Sequence, residues 1–96
     1  MYVREMGCEP HELIHWLPSA MGQYASTTAF WLDGKQIFGP QNGSITLKAS
    51  TLAPRQIALI RIPVTRVEFI FPKEWTASEI DATLARFDLY TRRGGG

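Results

Sequence analysis

Residues 55–71, RQIALIRIPVTRVEFIF, decide the fold of this 96-residue chain. Residues 55–62 and 66–71 are rich in β-branched and aromatic side chains, which favour strands. The Pro63-Val64-Thr65 segment between them predicts a break, so we expect two antiparallel neighbouring strands. Because side chains alternate between the two faces of a sheet, each strand should carry one core face. The uncharged sets assigned to the core are Ala58, Ile60, Ile62, Val67, Phe69 and Phe71.

A helix with complete start signals follows the second of these strands. Thr76 is a good N-cap and Glu79 lies three residues later, which is the capping-box pattern. Apolar positions then recur at i, i+3, i+4 and i+7, at Ile80, Thr83, Leu84 and Phe87. The sequence therefore predicts a helix over residues 76–90 that packs across one face of the sheet.

The middle of the chain predicts three more strands. Residues 28–32 and 35–38 flank Asp33-Gly34, a dipeptide that tolerates the positive φ angles of a two-residue hairpin turn. Asn42-Gly43 marks a second turn, and residues 44–49 then alternate apolar and polar side chains. That alternation is typical of a half-buried strand, with Ile45, Leu47 and Ala49 facing the core.

The start of the chain predicts a strand over residues 2–6 and a short helix over residues 10–17. Pro10 suits the first helical position, and Pro18 is expected to end the helix. We therefore predict one α+β domain over residues 1–91, followed by a flexible Arg/Gly tail over residues 92–96.

The predicted architecture is an antiparallel sheet of about five strands with both helices packed on one face, in the order β-α-β4/5-α. This order of elements resembles the TATA-binding-protein-like and helix-grip families. The resemblance implies a helix-packed antiparallel sheet, and it carries no function because folds host many unrelated activities.

Composition and charge exclude several classes of protein. The chain is 45% apolar and 20% charged, which is ordinary globular usage. Its ten basic and nine acidic side chains leave a net charge of +1, so we expect neither nucleic-acid nor membrane partners. A single cysteine fits a reducing compartment, and no apolar run of signal-peptide length follows the N-terminus. The sequence therefore predicts a cytoplasmic protein.

Residues 11–15, HELIH, match the H-E-x-x-H motif and resemble the zincin metalloproteases. The resemblance implies that His11 and His15 hold Zn²⁺ while Glu12 polarises a bound water. Two prolines confine the predicted helix to about two turns, and the chain holds no third histidine. We therefore favour a short amphipathic helix with exposed histidines, which buries Leu13, Ile14 and Leu17.

Cys8 adds two further hypotheses. Cys8, His11 and His15 are spaced i, i+3 and i+7, so a thiolate and two imidazoles would converge on Zn²⁺ or Cu⁺ if they share one helical face. The stretch Gly7-Cys8-Glu9-Pro10 resembles the TusA-type sulfur carriers, whose active cysteine opens their first helix. That resemblance implies a reactive thiol, since helix amides lower a cysteine pKa.

The predicted outer face is more apolar than a solvated face requires. Ile57, Leu59 and Ile70 lie on it, and one of the adjacent residues Phe30 and Trp31 must also point outward. We assign Trp31 to this face and predict an interface there, with a protein partner or a homo-oligomer. The sequence thus favours a non-enzymatic binding or assembly module. The alternative is a sulfur-carrier or metal-handling protein that uses Cys8, His11 and His15.

Overall fold

A computed structural model describes residues 2–40 and 44–91 of the chain. In chain order these residues form β1 (Tyr2–Met6), α1 (Pro10–Met21), a 3₁₀-helix (Gly22–Thr27), β2 (Thr28–Leu32), β3 (Lys35–Phe38), β4 (Ile45–Ile57), β5 (Ile60–Ile70) and α2 (Ala77–Thr91). The predicted α+β class is confirmed. The turn predicted at residues 42–43 and the tail predicted at residues 92–96 lie outside the described residues.

The five strands form one mixed sheet in the order β1-β5-β4-β2-β3. All neighbours are antiparallel except β2 and β4, which are parallel, so the prediction of a purely antiparallel sheet was wrong. The reason is the path after the Asp33-Gly34 hairpin: the chain crosses the start of β2 and places β4 on the other side of that strand. Gly39 has φ +96° at this crossing, and a Cβ there would clash with the Thr28 carbonyl oxygen.

The β4–β5 hairpin is longer than the sequence predicted. The break expected at Pro63-Val64-Thr65 was wrong, since β5 runs through these residues and the turn is Ala58-Leu59. The pairing shifts between Leu52 and Arg55, so Ala53 and Pro54 stand opposite Pro63. Proline has no N–H for a strand ladder and is tolerated at such a β-bulge, which lets the hairpin continue past both prolines.

Both helices pack on one face of the sheet and enclose the core with it. The core side chains include Leu13, Leu17, Ala20, Met21, Phe30, Ile45, Leu47, Ala49, Val67, Phe69, Ile80, Leu84 and Phe87. The predicted stripe of α2 and the inward residues of β4 are confirmed. Ala58 and Ile60, which were predicted to be core, are exposed. The cause is that β1 and β2 end opposite Thr65 and Ala49, well before the hairpin turn.

The two helices begin as expected, but α1 ends later. The capping box of α2 is present: the Glu79 N–H donates to Thr76 Oγ1 at 3.2 Å, and the Thr76 N–H donates to Glu79 Oε1 at 3.0 Å. The predicted end of α1 at residue 17 was wrong, because the helix continues through Pro18 to Met21. Burial of Ala20 and Met21 in the core offsets the hydrogen bond that Pro18 cannot donate.

Replacing Phe87 by Ala tests whether the α2 stripe stabilises the core. Phe87 is fully buried, and its ring meets that of Phe69 edge-on at 4.8 Å. We expect a loss of about 3 to 5 kcal/mol in the free energy of unfolding, measured by denaturant titration. The matched control is Leu89→Ala on the exposed side of α2, which should change stability by less than about 0.5 kcal/mol. Equal effects of the two substitutions would contradict this packing.

Candidate functional site

Cys8 is a core residue between β1 and α1. Its side chain is buried, with 1% of the residue exposed. Its backbone is held on both sides: the Cys8 N–H donates to the Met6 carbonyl at 2.9 Å, and Thr65 Oγ1 donates to the Cys8 carbonyl at 2.8 Å. The thiol therefore faces the core rather than the solvent around the first turn of α1.

The two histidines lie at the surface of α1. The His11 side chain is 76% exposed, and its Nδ1 is 3.4 Å from Glu9 Oε2, while His15 is also exposed. Glu12, the carboxylate of the H-E-x-x-H motif, accepts the Glu9 backbone N–H at 3.1 Å. The helix start thus uses Glu12 as part of its N-terminal cap. Leu13 and Leu17 are buried and Ile14 is half-buried, as a short amphipathic helix requires.

The structure does not bring the three predicted metal ligands together. Among residues 2–40 and 44–91, no group of three or more His, Cys, Asp or Glu side chains is placed to hold a metal ion. Cys8 lies in the core, whereas His11 and His15 lie in solvent. These positions do not support a shared metal site. The Zn²⁺, Cu⁺ and sulfur-carrier hypotheses for these residues stay predictions.

The second candidate site is the projecting end of the β4–β5 hairpin, residues 52–62, which we call the arm. The pairing of β5 with β1 runs only from Phe69 to Thr65, and that of β4 with β2 only from Ile45 to Ala49. Within the described part of the chain, no further strand pairs with the arm. It is a two-stranded ribbon that extends beyond the sheet.

Three large apolar side chains lie at the tip of the arm. Ile57 and Ile60 pair across the turn and are 55% and 63% exposed, and Leu59 within the turn is 97% exposed. Ala58 adopts a φ of +55°, a conformation that costs a non-glycine residue about 1 to 2 kcal/mol. The turn therefore places Leu59 at the end of the arm, between Ile57 and Ile60 in the sequence.

Only two of the four predicted interface residues lie at this tip. Ile57 and Leu59 are there, whereas Ile70 and Trp31 lie on the outer face of the main sheet. Ile70 is 42% exposed, and Trp31 is half-buried beside a shallow cavity of about 380 Å³ that Lys48, Arg66 and Glu68 also line. The structure therefore divides the predicted interface between the arm tip and the sheet body.

Sequence reasoning missed three residues of the arm. Ile60 was predicted to be a core residue, and no role was predicted for Arg55 or Arg61. These arginines are the only charged residues of the arm, which therefore carries two positive charges. One signal was available: both alternating sets of residues 55–62 contain large apolar side chains, which a strand with one buried face does not require.

A half-buried ion pair joins β1 to α2. Arg4 Nε and Nη2 donate to the two carboxylate oxygens of Asp88 at 2.9 and 3.1 Å, which ties β1 to α2. The hydrogen bond with Asp88 raises the pKa of Arg4 above its ordinary value. Arginine is charged at any working pH, so this pair positions α2 and performs no proton transfer.

No family model, curated protein or solved structure matches this chain. None of the described helices is both long enough and apolar enough to cross a membrane.

Zinc titration of the wild type and of Cys8→Ser tests the metal hypothesis. Because Cys8 is buried and the histidines are exposed, we expect any Zn²⁺ affinity measured by calorimetry to be unchanged in Cys8→Ser. It should disappear in the His11→Ala, His15→Ala double variant, the control that shows whether the measured affinity depends on the imidazoles. A loss of affinity in Cys8→Ser, together with affinity that rises with pH through the imidazole range, would instead establish a site that includes the thiolate.

Proposed function

We propose that this chain is a non-enzymatic cytoplasmic binding module that docks a protein partner with the tip of its arm. One observation carries the proposal: Ile57, Leu59 and Ile60 lie within four consecutive residues at the end of a projecting ribbon, and each is more than half exposed. Single exposed apolar residues are ordinary on protein surfaces, but a contiguous cluster on a projection marks an interaction site.

The energetics of the tip support this function. Burying an exposed leucine or isoleucine side chain contributes about 1.5 to 3 kcal/mol, so three of them can supply a substantial part of a binding free energy. An isolated two-stranded hairpin is only marginally stable in water. A partner that covers the arm would therefore bury apolar surface and stabilise the ribbon at the same time.

Two prolines at the base of the arm indicate how the partner binds. An open strand edge can recruit another strand through main-chain hydrogen bonds. Pro54 in the arm and Pro63 directly after it each lack a backbone N–H, and the bulge between them distorts the ladder at the base of the arm. We therefore propose recognition through the side chains at the tip rather than through addition of a strand.

The cytoplasmic assignment rests on the sequence. The lone cysteine is compatible with a reducing compartment, where it stays a thiol in the core. The sulfur-carrier and metal-handling alternative would need Cys8, which is buried, to reach solvent.

Site-specific photocrosslinking tests the proposal. A photoreactive phenylalanine analogue replaces Leu59 in cells that express the protein naturally, and the same analogue replaces Ile37 as a control. Ile37 is 46% exposed on β3, away from the arm. We expect a discrete covalent adduct from position 59, because the tip is in contact with a partner, and none from position 37. No adduct from position 59, or equal adducts from both positions, would contradict the proposal.

A further inference from the structure

The shallow cavity beside Trp31 has the size of a small-molecule site. Its volume is about 380 Å³, which lies within the range that small ligands occupy. It lies on the outer face of the sheet, and neither helix contributes to its lining. The polar and aromatic side chains that line it are Trp31, Lys48, Ser50, Arg66 and Glu68.

The strand register determines how these side chains are arranged. Lys48 pairs with Trp31 of β2 on one side and with Glu68 of β5 on the other, so the three form one row across the sheet. Ser50 and Arg66 pair in the next row of the same face. Two strand spacings, about 10 Å in all, separate the backbone of Trp31 from that of Glu68. The cavity thus has an aromatic end and a charged end.

The charged groups of the cavity are not paired with one another. Lys48 and Glu68 stand directly opposite, an arrangement that ordinarily favours an ion pair. Among residues 2–40 and 44–91, however, no ion pair or side-chain hydrogen bond includes Lys48, Arg66 or Glu68. Arg66 and Glu68 are also half-buried. Partly desolvated charges without a partner are costly, so a ligand that supplies opposite charges would stabilise them.

The charges of the cavity require a ligand that carries both signs. Lys48 and Arg66 are diagonal neighbours about 7 to 8 Å apart, so both can donate to one carboxylate, with Ser50 beside it. The Glu68 carboxylate only accepts hydrogen bonds and therefore requires an ammonium or another donor. The Trp31 indole offers an apolar aromatic surface at the other end of the row.

We infer that this cavity binds a free α-amino acid with an aromatic side chain. The α-carboxylate lies between Lys48 and Arg66, the α-ammonium binds Glu68, and the ring packs on Trp31. A simple anion would leave Glu68 unpaired, and a simple amine would leave both cations unpaired. Only a zwitterion satisfies all three charges. The site is separate from the tip of the arm, so the inference does not depend on the proposed function.

Titration calorimetry with L-phenylalanine and three related compounds tests the site. We expect saturable binding of L-phenylalanine with a dissociation constant below about 1 mM. N-acetyl-L-phenylalanine lacks the ammonium charge, L-phenylalaninamide lacks the carboxylate, and glycine lacks the ring. Each should bind at least tenfold more weakly, because each leaves one part of the cavity without its partner.

Matched variants connect each part of the ligand with its residue. Glu68→Gln should weaken binding of L-phenylalanine at least tenfold and leave that of the N-acetyl derivative unchanged. Arg66→Gln should weaken L-phenylalanine equally and leave the amide unchanged. Lys35→Gln is the control, since Lys35 is an exposed cation on β3 that does not line the cavity. It should bind as the wild type does. Far-ultraviolet circular dichroism checks that every variant keeps the fold.

Three results would overturn the inference. One is the absence of saturable binding of L-phenylalanine up to about 10 mM. Another is equal binding of L-phenylalanine and its N-acetyl derivative, which would describe a site for anions alone. The third is unchanged binding of L-phenylalanine in Glu68→Gln or Arg66→Gln, or an equal loss in Lys35→Gln. None of these results bears on the arm, because the crosslink at position 59 tests the proposed function separately.

Discussion

The cross-strand register of β4 and β5 is the constraint on which the rest of the structure depends. Pairing runs from Thr46 and Ile70 to Ile57 and Ile60, and a single bulge opposite Pro63 interrupts it. One half of this hairpin supplies the core face on which both helices pack. The other half extends beyond the ends of β1 and β2, and no other described strand pairs with it. The same strand pairing thus builds part of the core at one end of the hairpin and the candidate binding site at the other.

Local sequence signals correctly predicted a turn and a helix start whose geometry depends on neighbouring residues. The Asp33-Gly34 turn has the two positive φ angles that its sequence favours, and the Thr76 and Glu79 capping box starts α2 as expected. The Ala58-Leu59 turn escaped prediction because neither residue is a turn former. Its conformation is imposed by the pairing on either side, and the proline at residue 63 misleadingly looked like the break.

The chemical motifs could not show which side chains come together, because this depends on the tertiary structure. The spacing of Cys8, His11 and His15 is compatible with convergence, but only the fold determines that the thiol faces the core while the imidazoles face solvent. In the same way, the parallel pairing of β2 and β4 depends on a chain crossing at Gly39 that no periodicity encodes. The exposure of Ile57 and Leu59 followed from alternation, whereas that of Ile60 required knowing where the neighbouring strands stop.

The arm is a ribbon outside the core, and we propose that a partner covers it. Amide hydrogen exchange, measured on the protein alone and with its partner, tests this account most directly. We expect amides of residues 55–62 to exchange far faster than those of Leu47 and Phe69 in dilute protein, since local opening of the arm exposes no core. Their protection should rise when the partner crosslinked at position 59 is added. Arm amides that exchange as slowly as the core amides in the protein alone would contradict the account.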